Sequence, residues 1–292
     1  MGARQANAVE RQSDAGSDPD RILKVTRSGL VVLLVLAIAN GVFLYFAPSR
    51  AEADYAWAIV PPVSAAFMGA GYLAGAVATG LGALVARHFA SVRPLVPAFC
   101  ALGILLLAAT LIHADRFRWD YPPTWIWTAV YASLPAVPIY LVLTQRRLAP
   151  VGAVSRDPGV AAMRAPFIAL GCVLGAVALV LYVAPDALLD RWPWEITPLL
   201  ARVFGGWYAL AGLALVVAGA TAQRPRELPI TFAAVATWTA LALALPAIYS
   251  ESVDSSAALF WPWIGLMTVV LAACGYGALR AARLMRASGE RL

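Results

Sequence analysis

The sequence contains the same hydrophobic unit twice. Residues 44–48, LYFAP, return 137 positions later as residues 181–185, LYVAP. At that spacing seven further positions are identical: Trp57, Ile59, Pro61, Phe67, Gly69, Leu73 and Gly75 match Trp194, Ile196, Pro198, Phe204, Gly206, Leu210 and Gly212. Further along, the spacing shortens by one residue, so that Trp125 and Trp127 match Trp261 and Trp263. This duplication predicts two copies of one structural unit.

The composition places both copies in a lipid bilayer. Hydrophobic residues make up 61% of the chain and charged residues 13%, and the mean hydropathy is +0.74. A water-soluble protein of this composition could not cover its surface with polar groups, whereas a protein that faces lipid does not need to. The sequence therefore excludes a soluble globular protein.

Eight apolar stretches have the length of about 20 residues that a helix needs to cross a hydrocarbon core about 30 Å thick. They are residues 29–47, 62–86, 94–113, 124–144, 165–184, 197–222, 228–249 and 258–281. They are too long and too uniformly apolar for the alternating strands of a transmembrane barrel. The sequence predicts an all-α integral membrane protein with eight transmembrane helices, arranged as two parallel four-helix repeats.

The distribution of basic residues predicts the orientation. With a cytoplasmic N-terminus, 17 of the 22 lysine and arginine residues fall on cytoplasmic segments. The positive-inside rule then places both termini in the cytoplasm. Four spans per repeat is an even number, so both repeats have the same orientation and are related by an axis along the membrane normal.

These spans divide the chain into five regions. Residues 1–28 are polar and predict a disordered cytoplasmic tail. Residues 29–145 form the first membrane repeat, 146–164 a cytoplasmic linker, 165–284 the second repeat and 285–292 a cytoplasmic C-terminal tail.

Several functional classes lack support. The net charge of +6 comes from basic residues at loop ends, where insertion and anionic lipid account for them, so no nucleic-acid partner is predicted. The three cysteines lie within apolar spans without metal-ligand spacing, so no metal site is predicted. His88 and His113 lie at opposite ends of their spans and cannot share a haem iron, so no cofactor is predicted.

The segment 192–202, WPWEITPLLAR, is the sharpest local motif. Thr197 and Pro198 are typical of a helix start, and Arg202 then lies about 6 Å further along the helix, at 1.5 Å per residue. An arginine within a span is a candidate functional residue, with Glu195 as its expected acidic partner. The first repeat has Ala58 and Ala65 at the matching positions, so the charged pair belongs to one half only.

The candidate ligand site at the outer face therefore combines Glu195, Arg202, Trp192, Trp194, His113 and Asp115. The aromatic and acidic residues there also fit an interfacial belt, in which case they only anchor the protein. Arg202 can likewise act as a structural anchor. His113 has a side chain whose charge changes near physiological pH, which suits a proton carrier.

WPWEITPLLAR and the following Gly205 and Gly206 resemble a motif of multi-pass bacterial membrane proteins of unknown function, particularly from high-GC actinobacteria. The resemblance covers mainly the second repeat. It implies a bacterial plasma membrane location and carries no activity.

Three functional hypotheses follow. A transporter or permease would bind a small solute or lipid headgroup at the outward-facing site near Glu195 and Arg202. A non-catalytic accessory or scaffold protein would instead bind another membrane protein. An outward-facing membrane enzyme has the least support, because no nucleophile, metal or phosphate motif is present.

Overall fold

The computed structural model describes residues 21–136, 139–140, 143, 157–290 and 292. Eight main helices are found in this part of the chain. In order they are α1 Lys24–Phe46, α2 Pro62–Gly80, α3 Leu95–Ile112, α4 Pro122–Ser133, α5 Pro158–Val183, α6 Pro198–Thr221, α7 Pro229–Ile248 and α8 Phe260–Ser288. A π-helical turn, Leu81–Val85, extends α2. We call α1–α4 the first half and α5–α8 the second half.

Seven of the described helices are long and apolar enough to cross a membrane, and these are all of the main helices except α4. The chain therefore fits an all-α, multi-pass membrane protein. The fourth predicted span, 124–144, corresponds to α4, but much of it lies outside the described residues. The count of eight transmembrane helices thus stays a prediction.

The helix ends differ from the predicted region boundaries in three places. Helix α1 begins at Lys24, so the last residues assigned to the N-terminal tail are helical, while residues 1–20 lie outside the described part. Helix α5 begins at Pro158, inside the predicted linker, of which residues 146–156 also lie outside that part. Helix α8 continues to Ser288, into the predicted C-terminal tail.

Proline and capping residues set several helix starts. Proline occupies the first position of α2, α4, α5, α6 and α7, where its missing N–H costs no hydrogen bond. The predicted start of α6 is confirmed, because the Thr197 hydroxyl accepts a hydrogen bond from the Leu200 N–H at 3.2 Å. Asp157 caps α5 in the same way, with Oδ1 accepting from the Gly159 N–H at 2.7 Å.

The two halves repeat the same helix contacts. In the first half α1 packs on α2 and α3 on α4, and in the second half α5 packs on α6 and α7 on α8. Between the halves, α2 packs on α7 and α6 packs on α3. The second and third helices of each half therefore form the centre of the bundle.

Glycine allows the closest of these helix contacts. A Cβ atom on Gly212 of α6 would lie 2.7 Å from the Gly171 carbonyl oxygen of α5, and one on Gly69 of α2 would lie 2.5 Å from the Tyr45 nitrogen of α1. Only glycine permits backbones to approach this closely. A Cβ atom on Gly75 of α2, which matches Gly212 in the sequence repeat, would have only the Ala37 Cβ within 4 Å, at 3.9 Å.

Polar contacts join the halves at both ends of the bundle. On the side that carries the starts of α1 and α5 and the end of α8, here called the termini side, Arg93 Nη2 lies 2.9 Å from Glu227 Oε2. Glu227 is buried and also accepts hydrogen bonds from the backbone of its own loop. On the opposite side, here called the far side, Arg202 Nη1 lies 2.7 Å from His113 Nε2. Each of these contacts pairs a residue of the first half with one of the second half.

Candidate functional site

A cleft of about 330 Å³ lies within the first half. It is lined by α1, α2, α3 and α4, by the far-side loop that contains Asp54 and Tyr55, and by Trp207 of α6. Exposed residues of its lining, Ala39 on α1 and Ile126 on α4, place an opening on the side of the bundle. A cavity of this volume is within the usual range of small-molecule sites. We call it the tyrosine cleft.

The walls of the tyrosine cleft are largely aromatic and aliphatic. Phe43, Phe99, Trp127 and Trp207 contribute the aromatic part. Among the described residues that line the cleft, Asp54 alone is charged. Asp54 is already paired with Arg50, whose Nη2 lies 2.7 Å from Asp54 Oδ2. Among its described residues the cleft therefore carries no unpaired charge.

A chain of polar side chains crosses this apolar space. The Tyr131 hydroxyl lies 2.5 Å from the Tyr72 hydroxyl, which lies 3.4 Å from the Tyr55 hydroxyl. Tyr55 donates a hydrogen bond to Asn40 Oδ1 at 3.4 Å, and Asn40 Nδ2 donates to the Leu36 carbonyl at 3.0 Å. Buried polar groups are costly unless they are hydrogen-bonded, so this chain makes the phenols compatible with their surroundings.

Three helices and one loop bring these four side chains together. Asn40 lies on α1, Tyr72 on α2 and Tyr131 on α4, and the buried Tyr55 follows the short helical turn Ala51–Asp54. The side chain of Arg118 donates to the carbonyls of Glu52 and Ala53 and so fixes this turn.

The second half lacks these polar groups at the matching positions. By the spacing of the sequence repeat, Asn40, Tyr55 and Tyr72 match Val177, Trp192 and Ala209, and Tyr131 matches Met267. Trp192 and Met267 are buried in the core. The first and fourth helices of the second half, α5 and α8, contact each other. The second half thus fills with apolar side chains the region that is polar in the first.

Arg202 is partly buried at the far side, but its partner differs from the expected one. Arg202 Nη1 contacts His113 Nε2 at 2.7 Å, and within the described chain Arg202 forms no ion pair with a carboxylate. Glu195 would lie on the same helical face as Arg202 only if α6 extended back to Glu195. Instead α6 begins at Pro198 and Thr197 is extended, so Glu195 leaves the helix and is exposed.

The contact with Arg202 affects the protonation of His113. A guanidinium group only donates, so His113 Nε2 is the acceptor and its proton is on Nδ1. Burial lowers the pKa of His113 from its usual 6.5, and Arg202 and Arg116 lower it further, against the opposing effect of Asp115. His113 is therefore neutral at physiological pH.

The other predicted site residues do not gather around Arg202. Asp115 is exposed, and its Oδ2 lies 3.3 Å from the Nε of Arg116. Trp192 and Trp194 are buried in the core instead of lining an open vestibule. Trp194 Nε1 donates to the Ser64 hydroxyl of the first half at 3.0 Å, so this tryptophan joins the halves. Of the six residues, the structure brings only Arg202 and His113 into polar contact with each other.

Comparisons with protein-family models, with curated proteins and with solved structures found no match to this chain. Within the described residues no group of three or more His, Cys, Asp or Glu side chains could hold a metal ion.

Asn40, Tyr55, Tyr72 and Tyr131 are not among the site residues predicted from the sequence. A usable signal was present, because the comparison of the repeats that identified Arg202 applies equally to these positions. Each is polar in the first half and apolar in the second. Four such differences in one unit predict a site there, although not which residues meet.

Proposed function

We propose that the protein is a permease-like protein of the bacterial plasma membrane whose solute-binding site is the tyrosine cleft. The observation that carries this proposal is a polar, uncharged chain of side chains inside an apolar cleft with a sideways opening. A solute that is dissolved in the bilayer could enter through that opening without crossing water. Apolar lining with a few convergent polar groups is typical of ligand sites.

The proposed architecture is two parallel four-helix units. The helix contacts between the halves support this architecture. The second helix of the first half, α2, packs on the third helix of the second half, α7, and α6 packs on α3 correspondingly. A rotation about the membrane normal would convert one contact into the other. In such a protein movement of one half against the other would open and close the binding site, and Trp207 of the second half forms part of the wall of the tyrosine cleft.

We further propose that the far side faces outward. The distribution of arginine supports this orientation, since most basic residues lie on the termini side. The tyrosine cleft then opens towards the outer leaflet, because Asn40 lies six residues before the far end of α1, about 9 Å along the helix.

The alternative of an outward-facing enzyme has weaker support. General acid–base catalysis needs an acid and a base within reach of one substrate. Glu195 and Asp115 are exposed, and within the described residues neither forms a hydrogen bond or ion pair with His113 or Arg202.

The proposal is tested by filling the cleft. Gly75 lines it and has open space around its Cβ position, so Gly75→Leu should occupy the cleft without displacing backbone. Gly265→Leu is the matched control, because Gly265 is exposed on α8 and also has open space. Wild type and both variants are purified from bacterial membranes into nanodiscs, and small molecules extracted from them are compared by mass spectrometry.

A solute that copurifies with wild type and with Gly265→Leu, but not with Gly75→Leu, is the expected result. That solute is then loaded into proteoliposomes, where its exit should depend on the protein and be blocked by Gly75→Leu. Identical extracts from all three proteins would refute the cleft as the binding site.

A further inference from the structure

Only one direction of donation makes every contact of the tyrosine chain a hydrogen bond at once. Asn40 Nδ2 donates to the Leu36 carbonyl, and this contact fixes which end of the amide is the oxygen. Asn40 Oδ1 is therefore the acceptor, and the single hydroxyl hydrogen of Tyr55 is donated to it.

The remaining hydrogens follow from this first one. Since the hydrogen of Tyr55 is used, the contact between Tyr55 and Tyr72 is a hydrogen bond only if Tyr72 donates. The hydrogen of Tyr72 is then used as well, so Tyr131 must donate in the 2.5 Å contact with Tyr72. All contacts of the chain are hydrogen bonds at once in this arrangement alone.

In this arrangement the three hydroxyl groups have no hydrogen left for a ligand. What they offer is acceptor lone pairs, since each phenol oxygen has two and at most one is used by a neighbouring hydroxyl. Tyr131 is at the donating end of the chain, where neither lone pair of its oxygen accepts a hydrogen bond within the described residues.

We propose that the tyrosine cleft selects an uncharged amphiphile that donates a hydrogen bond, an alcohol or a phenol, to the hydroxyl oxygen of Tyr131. This inference rests on the proposed function, because it names the solute class of the same cleft. The apolar body of the ligand lies among Phe43, Phe99, Trp127 and Trp207. An aromatic wall suits a ring or an unsaturated chain.

The charges around the cleft disfavour ionic headgroups. A phosphate or carboxylate headgroup inside it would be desolvated without a cation, because the lining has no lysine, arginine or histidine among the described residues. The aromatic faces attract an ammonium group. No free carboxylate of the described lining offsets its desolvation, because Asp54 is already paired with Arg50.

The test uses two probes that differ only in the donor, 4-octylphenol and its methyl ether. Both are uncharged and apolar, but the ether has no hydroxyl hydrogen. Binding of each radiolabelled probe is measured with wild type in nanodiscs, after subtraction of the binding to empty nanodiscs. We expect the phenol to bind about tenfold more tightly than the ether, as the loss of one buried hydrogen bond predicts.

Three variants locate this preference. Tyr131→Phe keeps the ring and removes the acceptor, so the phenol should lose its advantage and bind about as well as the ether. Tyr208→Phe is the matched control, because it removes a buried hydroxyl of the second half that accepts from Trp263 at 2.8 Å. It should keep the tenfold preference. Gly75→Leu should abolish binding of both probes.

The outcomes separate this inference from the proposed function. Equal binding of phenol and ether by wild type, lost in Gly75→Leu, would overturn the donor preference and leave the cleft as the site. A preference that persists in Tyr131→Phe would assign recognition to another group, such as the second amide hydrogen of Asn40, and would also overturn the inference. No binding of the phenol by wild type would also overturn the donor preference. Binding of the probes that is insensitive to Gly75→Leu would overturn the donor preference and would also count against the proposed function.

Discussion

The hydroxyl group of Tyr182 donates a hydrogen bond to the carbonyl oxygen of Leu105 at 2.8 Å. Tyr45, which matches Tyr182 in the sequence repeat, donates to the carbonyl oxygen of Leu241 at 3.1 Å. Leu241 matches Leu105 at the shorter spacing of 136 residues that also relates Trp125 to Trp261. Each bond joins the first helix of one half to the third helix of the other. Two bonds between matching residues are expected when one half is related to the other by a rotation.

These two hydrogen bonds should stabilise the association of the halves. Tyr182→Phe and Tyr45→Phe each remove one hydroxyl and should lower the free energy of unfolding by about 1 kcal/mol. The measurement is unfolding of the purified protein by increasing fractions of SDS in mixed micelles. Tyr276→Phe is the control, because Tyr276 is exposed on α8 and its hydroxyl accepts a hydrogen bond from Arg280 of the same helix. If all three variants unfold alike, the two bonds do not contribute to the interface.

The proposed orientation predicts which side of the protein is accessible from outside the cell. In a background that lacks Cys100, Cys172 and Cys274, the exposed far-side positions Arg116→Cys and Ser255→Cys should react with an impermeant maleimide on intact cells. Ser288→Cys on the termini side should react only after the cells are opened. Labelling of Ser288→Cys alone in intact cells would reverse the orientation.

The helices could be predicted from the sequence because length and hydrophobicity determine them. Predicted span 197–222 and observed helix Pro198–Thr221 differ by one residue at each end, since Thr197 and Pro198 mark the start locally. The fourth span is the exception, because only its first part lies within the described residues.

The candidate site could not be predicted in the same way, because it depends on how separate segments pack. Tyr55 and Tyr131 are 76 positions apart in the sequence, and only the folded chain brings both of them to the hydroxyl of Tyr72 on α2. The partner of Arg202 was also missed, since the path of residues 192–197 is not helical and His113 comes from the other half. Helix length is a local property, whereas both of these contacts are long-range.

The contact between Arg202 and His113 should make stability depend on pH. The pKa of His113 is lowered in the folded protein, so the unfolded chain takes up a proton first as the pH falls. The contribution of neutral His113 to the free energy of unfolding is complete above its unfolded pKa of about 6.5, and it is lost as the pH falls towards its lower folded pKa. Protonation also removes the acceptor that Arg202 uses.

We therefore expect the melting temperature of wild type in detergent to fall between pH 7.5 and pH 5.5. His113→Gln keeps a carbonyl acceptor but does not titrate, so this variant should show a smaller decrease over the same range. Asp115→Asn removes the charge that opposes the lowered pKa, so the decrease should start at the same pH, extend to lower pH and be larger in total. A wild-type melting temperature that is constant down to pH 5.5 would contradict the coupling.

The two matching glycines Gly75 and Gly212 should respond in opposite ways to the same substitution. Gly212→Ala places a Cβ 2.7 Å from the Gly171 carbonyl oxygen, and backbone cannot yield as a flexible side chain can. We expect a loss of about 2 kcal/mol, as for other overpacked contacts. The Cβ of Gly75→Ala would contact only the Ala37 Cβ, at 3.9 Å. Alanine also has the highest helix propensity, whereas glycine in a helix is unfavourable. The free energy of unfolding of Gly75→Ala should therefore be unchanged or raised by up to about 1 kcal/mol. SDS unfolding of both variants measures the difference. Equal losses would mean that α1 and α2 pack as tightly at Gly75 as α5 and α6 do at Gly212, which would leave no open tyrosine cleft in the first half.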